Sequence, residues 1–329
     1  MGPRTAQTPR SIRERAFHNW LERTLPAGQV GLLPLGDDAA AFRLRGPRTL
    51  VATTDSFSEG WHFERSSSPR AIGKALAAVN FSDLAAKGAT PIGLLIDILV
   101  PRGTPSNWVK GIVLGAEEMC QSFDCHVVGG DTKPSRTRAL AGTALGVNSS
   151  GKLAPRSGAR VGDVVAVTGK MGRGGLAALA QGKGTKRRKR PHASFLDVRP
   201  RVREGALLAP RVHAMLDTSD GVAEATHLLA EASRAQITLE ADSLPIDPAL
   251  TRWLRSRARA LLQAFYGGDY ELLCSMLPAQ FRPLQRALKG GGCPLTAIGR
   301  VRSGRGAFLE EGGVVHALPR AGWQPLGPE

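Results

Sequence analysis

Two hydrophobic periods alternate along the chain. Between Ala71 and Lys87, Ile72, Ala75, Leu76 and Val79 recur at helical spacing in an Ala/Leu-rich stretch, which predicts an amphipathic helix. Shorter β-like runs bounded by turn residues predict strands at Thr49–Thr54, Gly93–Val100, His126–Val128 and Ala139–Val147. Further on, Asp163–Thr168 reads as a strand, and helices are expected near Gly221–Ala232 and Pro278–Leu288. Strands and helices therefore alternate, the pattern of a layered α/β (α+β) protein. The longest apolar run, Gly93 to Val100, is strand-length and carries Asp97, so no segment reaches the roughly 18 residues of a membrane span.

The stretch from Asn148 to Gly158 is rich in turn formers and lacks periodicity, which predicts a domain boundary. Residues 1–27 read as a basic arm with a short helix around Ile12–Leu25. Residues 28–148 form the expected N-terminal domain, and 149–329 a C-terminal α/β domain with a low-complexity basic insert at 183–190, KGTKRRKR. Such a charge run is expected to be a solvated loop.

Composition narrows the picture. Apolar residues make up 42% of the 329 and charged residues 22%, which excludes a largely disordered chain. Lys and Arg number 44 against 28 Asp and Glu, a formal net charge of +16, which suits polyanionic ligands, nucleotides included. Aromatics are only 5%, too few for base-stacking recognition of single strands. The four cysteines form no CxxC pair and read as reduced, buried thiols of a cytoplasmic protein. The N-terminus lacks the apolar core of a secretory signal.

The candidate chemistry lies in the acids. Gly36-Asp37-Asp38, Thr53-Thr54-Asp55, Asn80-Phe81-Ser82-Asp83, Gly129-Gly130-Asp131 and Asp217-Thr218-Ser219-Asp220-Gly221 each place Asp beside turn formers at the end of a predicted element. One such Asp is an ordinary turn or N-cap signature. Five together supply hard oxygen ligands for several Mg²⁺ ions, and several ions suit a reaction between two phosphorylated anions. Asn80, Asp83 and Lys87 share one face of their predicted helix, opposite the apolar stripe; a solvated face is the alternative. No Walker A loop and no protein-kinase signature is present. Gly172-Arg-Gly-Gly175 follows a strand and is equally a phosphate-binding turn or a plain tight turn.

The ordered set GDDAAAF, TTDSFSEGWHF, KALAAVNFSDLAAKGATP, VVGGDTK, RSGARVGDVVAVTG, LDTSDGV and GGDYELL resembles the thiamine-monophosphate kinase family over roughly residues 12–325. That family belongs to the superfamily of aminoimidazole ribonucleotide synthetase. The resemblance implies a two-domain fold whose N-terminal sheet carries helices on one face and pairs with its copy into a barrel-like homodimer. It implies phosphoryl transfer from ATP to thiamine monophosphate, with neither a covalent nucleophile nor a general base. Asp38, Thr53, Thr54, Asp55, Asp83, Asp131, Asp217 and Asp220 are the implied Mg²⁺ ligands. Gly130, Asp131, Arg156 and Ser219 are the implied ATP contacts, and His62, Asp269 and Trp323 the implied substrate contacts. Asp269 stands in a loop one acidic residue shorter than the family's pattern, Ala225 replaces an Asp, and Lys133-Pro134 replaces Thr-Arg. The alternatives are another ATP-dependent member of the superfamily with a different phosphorylated acceptor, and a basic nucleic-acid-binding protein. The second leaves the acidic motifs unexplained, so neither nucleic acid nor membrane is expected as a partner.

Overall fold

The computed structural model describes positions 21 and 24 and residues 31–34, 36–181 and 193–322. The basic arm, most of the first predicted helix, the 183–190 insert and Trp323 lie outside the described residues.

The N-terminal half runs β1 (Ala40–Arg43), β2 (Thr49–Ser58), α1 (Pro69–Ala86), β3 (Thr90–Val100), α2 (Ser106–Gln121), β4 (Val127–Pro134) and β5 (Ala139–Asn148). Its sheet has the order β1-β2-β5-β3-β4. Only the β3–β4 pair at the edge is parallel; the other pairs are antiparallel. In β3 side chains alternate between core and surface: Leu94, Ile96 and Ile98 are buried against the helices, while Leu95, Asp97 and Leu99 face outward. The predicted strand at His126–Val128 is longer than its apolar run, because pairing with β3 carries it on to Pro134.

The helix expected at Ala71–Lys87 forms as α1, with Pro69 in its first turn. It is not amphipathic in place. Asn80, Ser82 and Lys87 are as fully buried as Leu76, because α1 lies between the sheet, α2 and the C-terminal half. A Cβ on Gly73 would come within 1.9 Å of the Ile112 carbonyl oxygen, and one on Gly115 within 1.9 Å of that of Arg70. Glycine on both sides lets the two helices cross backbone to backbone.

The C-terminal half continues with β6 (Val164–Thr168), α3 (Arg173–Gln181), α4 (Val202–Leu208), β7 (Ala214–Asp217), α5 (Val222–Ser233), β8 (Gln236–Glu240), α6 (Pro248–Leu254), α7 (Arg257–Ala264), β9 (Leu272–Met276), α8 (Pro278–Gly290), β10 (Leu295–Arg302), β11 (Gly306–Glu311) and β12 (Val314–Ala317). Its mixed sheet has the order β12-β11-β8-β10-β6-β9-β7. One face, with Val165, Val167, Leu216 and Leu273, packs on α5 and its neighbours. The other, with Ala166, Met215, Leu272 and Cys274, joins the core of α1 and α2. One hydrophobic core therefore crosses between the two sheets and fixes how their ends meet.

Candidate active site

The pleat of β2 and the pitch of α1 bring the acids together. Thr53 Oγ1 donates to Asp83 Oδ2 at 2.6 Å, and the Asp55 amide donates to Asn80 Oδ1 at 3.1 Å. Two residues beyond Asn80 on α1, Ser82 Oγ donates to Asp217 Oδ2 at 2.6 Å, across the junction of the two halves. Asp217 ends β7, and Ser219 Oγ donates back to its Oδ1 at 2.9 Å. Asp55, Asp83 and Asp217 thus converge from three elements, and the carboxylates of Asp83 and Asp217 each accept from a neutral hydroxyl.

Their electrostatics follow. Burial, then the charge of Asp217, raises the Asp55 carboxyl to about 6. Asp83 is pushed well above the usual carboxylate range by burial and by Asp55, Asp217 and Asp38. Asp217 is raised by burial and then by Asp38. Buried like charges favour the protonated acid until a cation compensates them.

Asp38 behaves differently. Lys87 Nζ, completely buried at the end of α1, lies 2.5 Å from Asp37 Oδ1 and 2.8 Å from Asp38 Oδ2. It also donates to the carbonyls of Ala154 and Met215, both at 3.1 Å. Arg156 adds a contact from Nη2 to Asp38 Oδ1 at 2.5 Å and donates to the Gly36 carbonyl. Burial opposes the charge on Asp38, but Lys87 and Arg156 outweigh it and hold this carboxyl below its usual range. Here the cations are supplied by the chain, and the Arg156 guanidinium is turned onto Asp38.

Beside the carboxylates opens a cavity of about 500 Å³. It is lined by Asp55, Asp83, Ser219 and Asp220 together with the rings of Phe57, Trp61, His62, Phe195, Tyr266 and Tyr270. His62 stacks on Phe57 with centroids 5.2 Å apart. Its Nδ1 accepts from the Ser58 amide at 3.1 Å, which assigns the ring proton to Nε2. Burial lowers the His62 pKa, so the ring is neutral. Tyr270 sits at φ +53°, and burial together with the charges of Asp55 and Asp217 lifts its phenol well above the ordinary range.

Several expected site residues are not gathered here. Thr54 projects from the opposite face of β2, where its Oγ1 donates to the Gly142 carbonyl. Gly130 and Asp131 lie on edge strand β4, separated from β2 by two strands, and Asp131 pairs with Lys133 at 3.1 Å. Asp269 is turned inward: it accepts from the amides of Gly172 (2.7 Å) and Gly174 (3.0 Å) at the start of α3. It is a cap, not a cavity residue, because the open amides of a helix start attract a carboxylate. Those same two amides are thereby lost to phosphate, and Gly172-Arg-Gly-Gly175 is the capped start of α3. Trp61, Phe195, Tyr266 and Tyr270 were not expected at the site. Trp61 and Tyr270 flank expected residues in sequence, whereas Phe195 and Tyr266 carry no local signal.

Comparison with known proteins places this geometry. The N-terminal domain model of AIR synthase related proteins matches residues 36–148, and the C-terminal domain model matches 160–310. Thiamine-monophosphate kinase from Synechococcus elongatus is 37% identical over 76% of this chain and 82% of its own. The chain belongs to the thiamine-monophosphate kinase family. The family member of known structure from Stenotrophomonas maltophilia superposes with a TM-score of 0.72 at 31% identity, covering 92% of this chain and 96% of that one. AaThiL, solved in complex with AMPPCP and TMP, superposes with a TM-score of 0.80 at 26% identity, over 97% of this chain and 100% of its own.

The family's chemistry raises the question of Mg²⁺, and the donor set fits it. Among the described residues no three His, Cys, Asp or Glu side chains form a ready-made cage. Mg²⁺ rarely uses one; it takes one or two carboxylates and completes its shell with water and substrate phosphate. Buried, mutually repelling Asp55, Asp83 and Asp217, with no cation of the chain paired to them among the described residues, match that requirement. Asp38 is already compensated.

Proposed function

We propose that this protein transfers the γ-phosphoryl group of ATP directly to thiamine monophosphate, giving thiamine diphosphate and ADP. The observation that carries this reading is a cavity lined both by a carboxylate cluster and by aromatic rings. An oxygen of the acceptor phosphate bonds to the γ-phosphorus as the bond from that phosphorus to the bridging oxygen of ADP breaks. The attacking oxygen is already anionic at neutral pH, so no residue needs to remove a proton from it. What remains for the chain is alignment and charge compensation.

Asp55, Asp83, Asp217 and Asp220 would hold the Mg²⁺ ions, with Thr53 orienting Asp83. Bound there, Mg²⁺ would neutralise the charge shared by the two phosphorylated partners. Ser219, between Asp217 and Asp220 on the cavity lining, would contact the nucleotide phosphate. Lys87 and Arg156 keep the 36–38 loop closed on the junction, and neutral His62, stacked on Phe57, lines the acceptor end. The site offers no activated nucleophile, so transfer proceeds without a phosphoenzyme and with inversion at phosphorus.

The test is incubation of the purified protein with ATP, Mg²⁺ and a panel of thiamine species and related phosphates. Thiamine diphosphate formed only from the monophosphate is the expected result. Turnover with a non-thiamine phosphate alone would shift the reading to another acceptor in the same superfamily, and retention of configuration at a chiral γ-phosphate would overturn direct transfer.

We also propose a cytoplasmic homodimer, in which residues 28–148 bind ATP and dimerise and 149–329 complete the site. The outer face of the N-terminal sheet exposes Ile92, Leu95, Leu99 and Val128, which supports pairing with a second copy. A monomer by light scattering at micromolar concentration would refute it. All four cysteines are free and buried, consistent with a reducing compartment. Among the described residues no helix is long and apolar enough to cross a membrane.

A further inference from the structure

The loop after α7 reaches the cavity through Tyr266, Gly267, Gly268 and Tyr270, and Asp269 is turned away to cap α3. No side-chain charge from this loop therefore faces the cavity. Phe195 lines the cavity beside this loop. Its ring lies 6.1 Å from that of Tyr266 at an interplanar angle of 34°, and a Cβ on Gly268 would meet it at 3.1 Å. Glycine at 268 leaves the room in which the Phe195 ring sits against the loop.

Opposite in origin, Phe57, Trp61 and His62 come from the N-terminal half. The cavity thus combines carboxylates with aromatic side chains from both halves. An aromatic face carries partial negative charge and attracts a flat cation, whereas an uncharged ring gains only burial. Resting on the reading of thiamine monophosphate as acceptor, we propose that Phe195 and Tyr266 are specificity-determining residues that select a cationic heteroaromatic ring on the phosphorylated acceptor. Recognition in this chain therefore uses ring faces where its shortened loop presents no carboxylate. The pair acts on acceptor affinity and takes no part in bond making.

The test uses the full-length protein, the variants Phe195→Leu and Tyr266→Leu, and the ring-retaining controls Phe195→Tyr and Tyr266→Phe. Steady-state KM and kcat are measured for both substrates. Competitive inhibition is measured with two phosphates that differ in charge, thiazole ethyl phosphate and its N-methylthiazolium analogue. The leucine variants should raise KM for thiamine monophosphate about tenfold, with KM for ATP and kcat near wild type. Wild type and the ring-retaining controls should bind the charged analogue about tenfold tighter than the neutral one, and the leucine variants should lose most of that preference.

A preference that persists in both leucine variants overturns the proposal, as does an equal loss in the ring-retaining controls. The preference is a ratio within one variant, so partial loss of folded protein does not imitate the effect. If wild type shows the preference but no turnover of thiamine monophosphate, the reaction assignment fails and the ring selectivity stands. If wild type turns over thiamine monophosphate without the preference, only this inference fails.

Discussion

The Lys87 ammonium lies 2.5 Å from the Asp37 carboxylate, and both side chains are shut off from solvent. One cation thereby ties the 36–38 loop, the end of α1, the 149–163 connection and β7 into a single junction. Removing one partner of such a pair leaves the other charge buried and uncompensated. Lys87→Met should therefore destabilise the protein by about 3–5 kcal/mol, read from urea unfolding. A loss below about 1 kcal/mol would show that the junction does not depend on this pair.

Asp83 has Thr53 as its hydrogen-bond partner and three acids as its electrostatic surroundings. If it binds Mg²⁺ beside the reacting phosphates, Asp83→Ala should lower kcat by at least about a hundredfold. KM for thiamine monophosphate should change little. Near-normal kcat would remove Asp83 from the site.

Asp55 gives a pH signature. Its carboxyl is raised to about 6 in the folded chain, so the folded state binds this proton more tightly than the unfolded one. The associated stability is fully present below about pH 4 and is lost as pH rises through 6. In EDTA, Asp55→Asn should raise the melting temperature at pH 7.5, a gain of up to roughly 3 kcal/mol that closes towards pH 4. An equal effect at both pH values would contradict the buried-carboxylate assignment. Added Mg²⁺ should stabilise wild type and not the variant.

Asp269 separates cap from substrate contact. As the acceptor for the Gly172 and Gly174 amides, it contributes to the start of α3, and burial raises its own pKa to about 7. Asp269→Ala should cost about 1–2 kcal/mol of stability and leave KM for thiamine monophosphate within about twofold. A large rise in KM with unchanged stability would restore it to the substrate site.

Gly174 tests the packing of the same wall. A Cβ there would lie 1.6 Å from the Gly267 carbonyl oxygen, a backbone atom that cannot swing aside. Gly174→Ala should push the 267–270 loop outward, raising KM for thiamine monophosphate more than KM for ATP. Unchanged kinetics would mean that the loop position is not coupled to the acceptor end.

The chain's own order of residues determined a great deal. The periodicities predicted α1, β3, β5, β6, α5 and α8 within a few residues, because the apolar stripe of each is buried in place, although α1 buries its polar face as well. The order and spacing of the motifs pointed to the family, while Asn80 and Ser82 are poor helix formers in the middle of α1. Their poor helix propensity is offset by hydrogen bonds to Asp55 and Asp217, partners that lie 25 and 135 residues away. The tertiary structure alone decided which acids are compensated and which are not. That Asp38 belongs to Lys87 while Asp83 faces other carboxylates depends on where the two halves close on α1. That Thr54 leaves the cluster depends on which face of β2 meets the helix, and that Asp269 becomes a cap depends on the nearness of the α3 amides. Phe195 and Tyr266, 71 residues apart, meet only because the C-terminal half folds one over the other. Local pattern fixes an element's type and its inward face; charge pairing and cavity lining are set by contacts between elements distant in the chain, which no local pattern encodes.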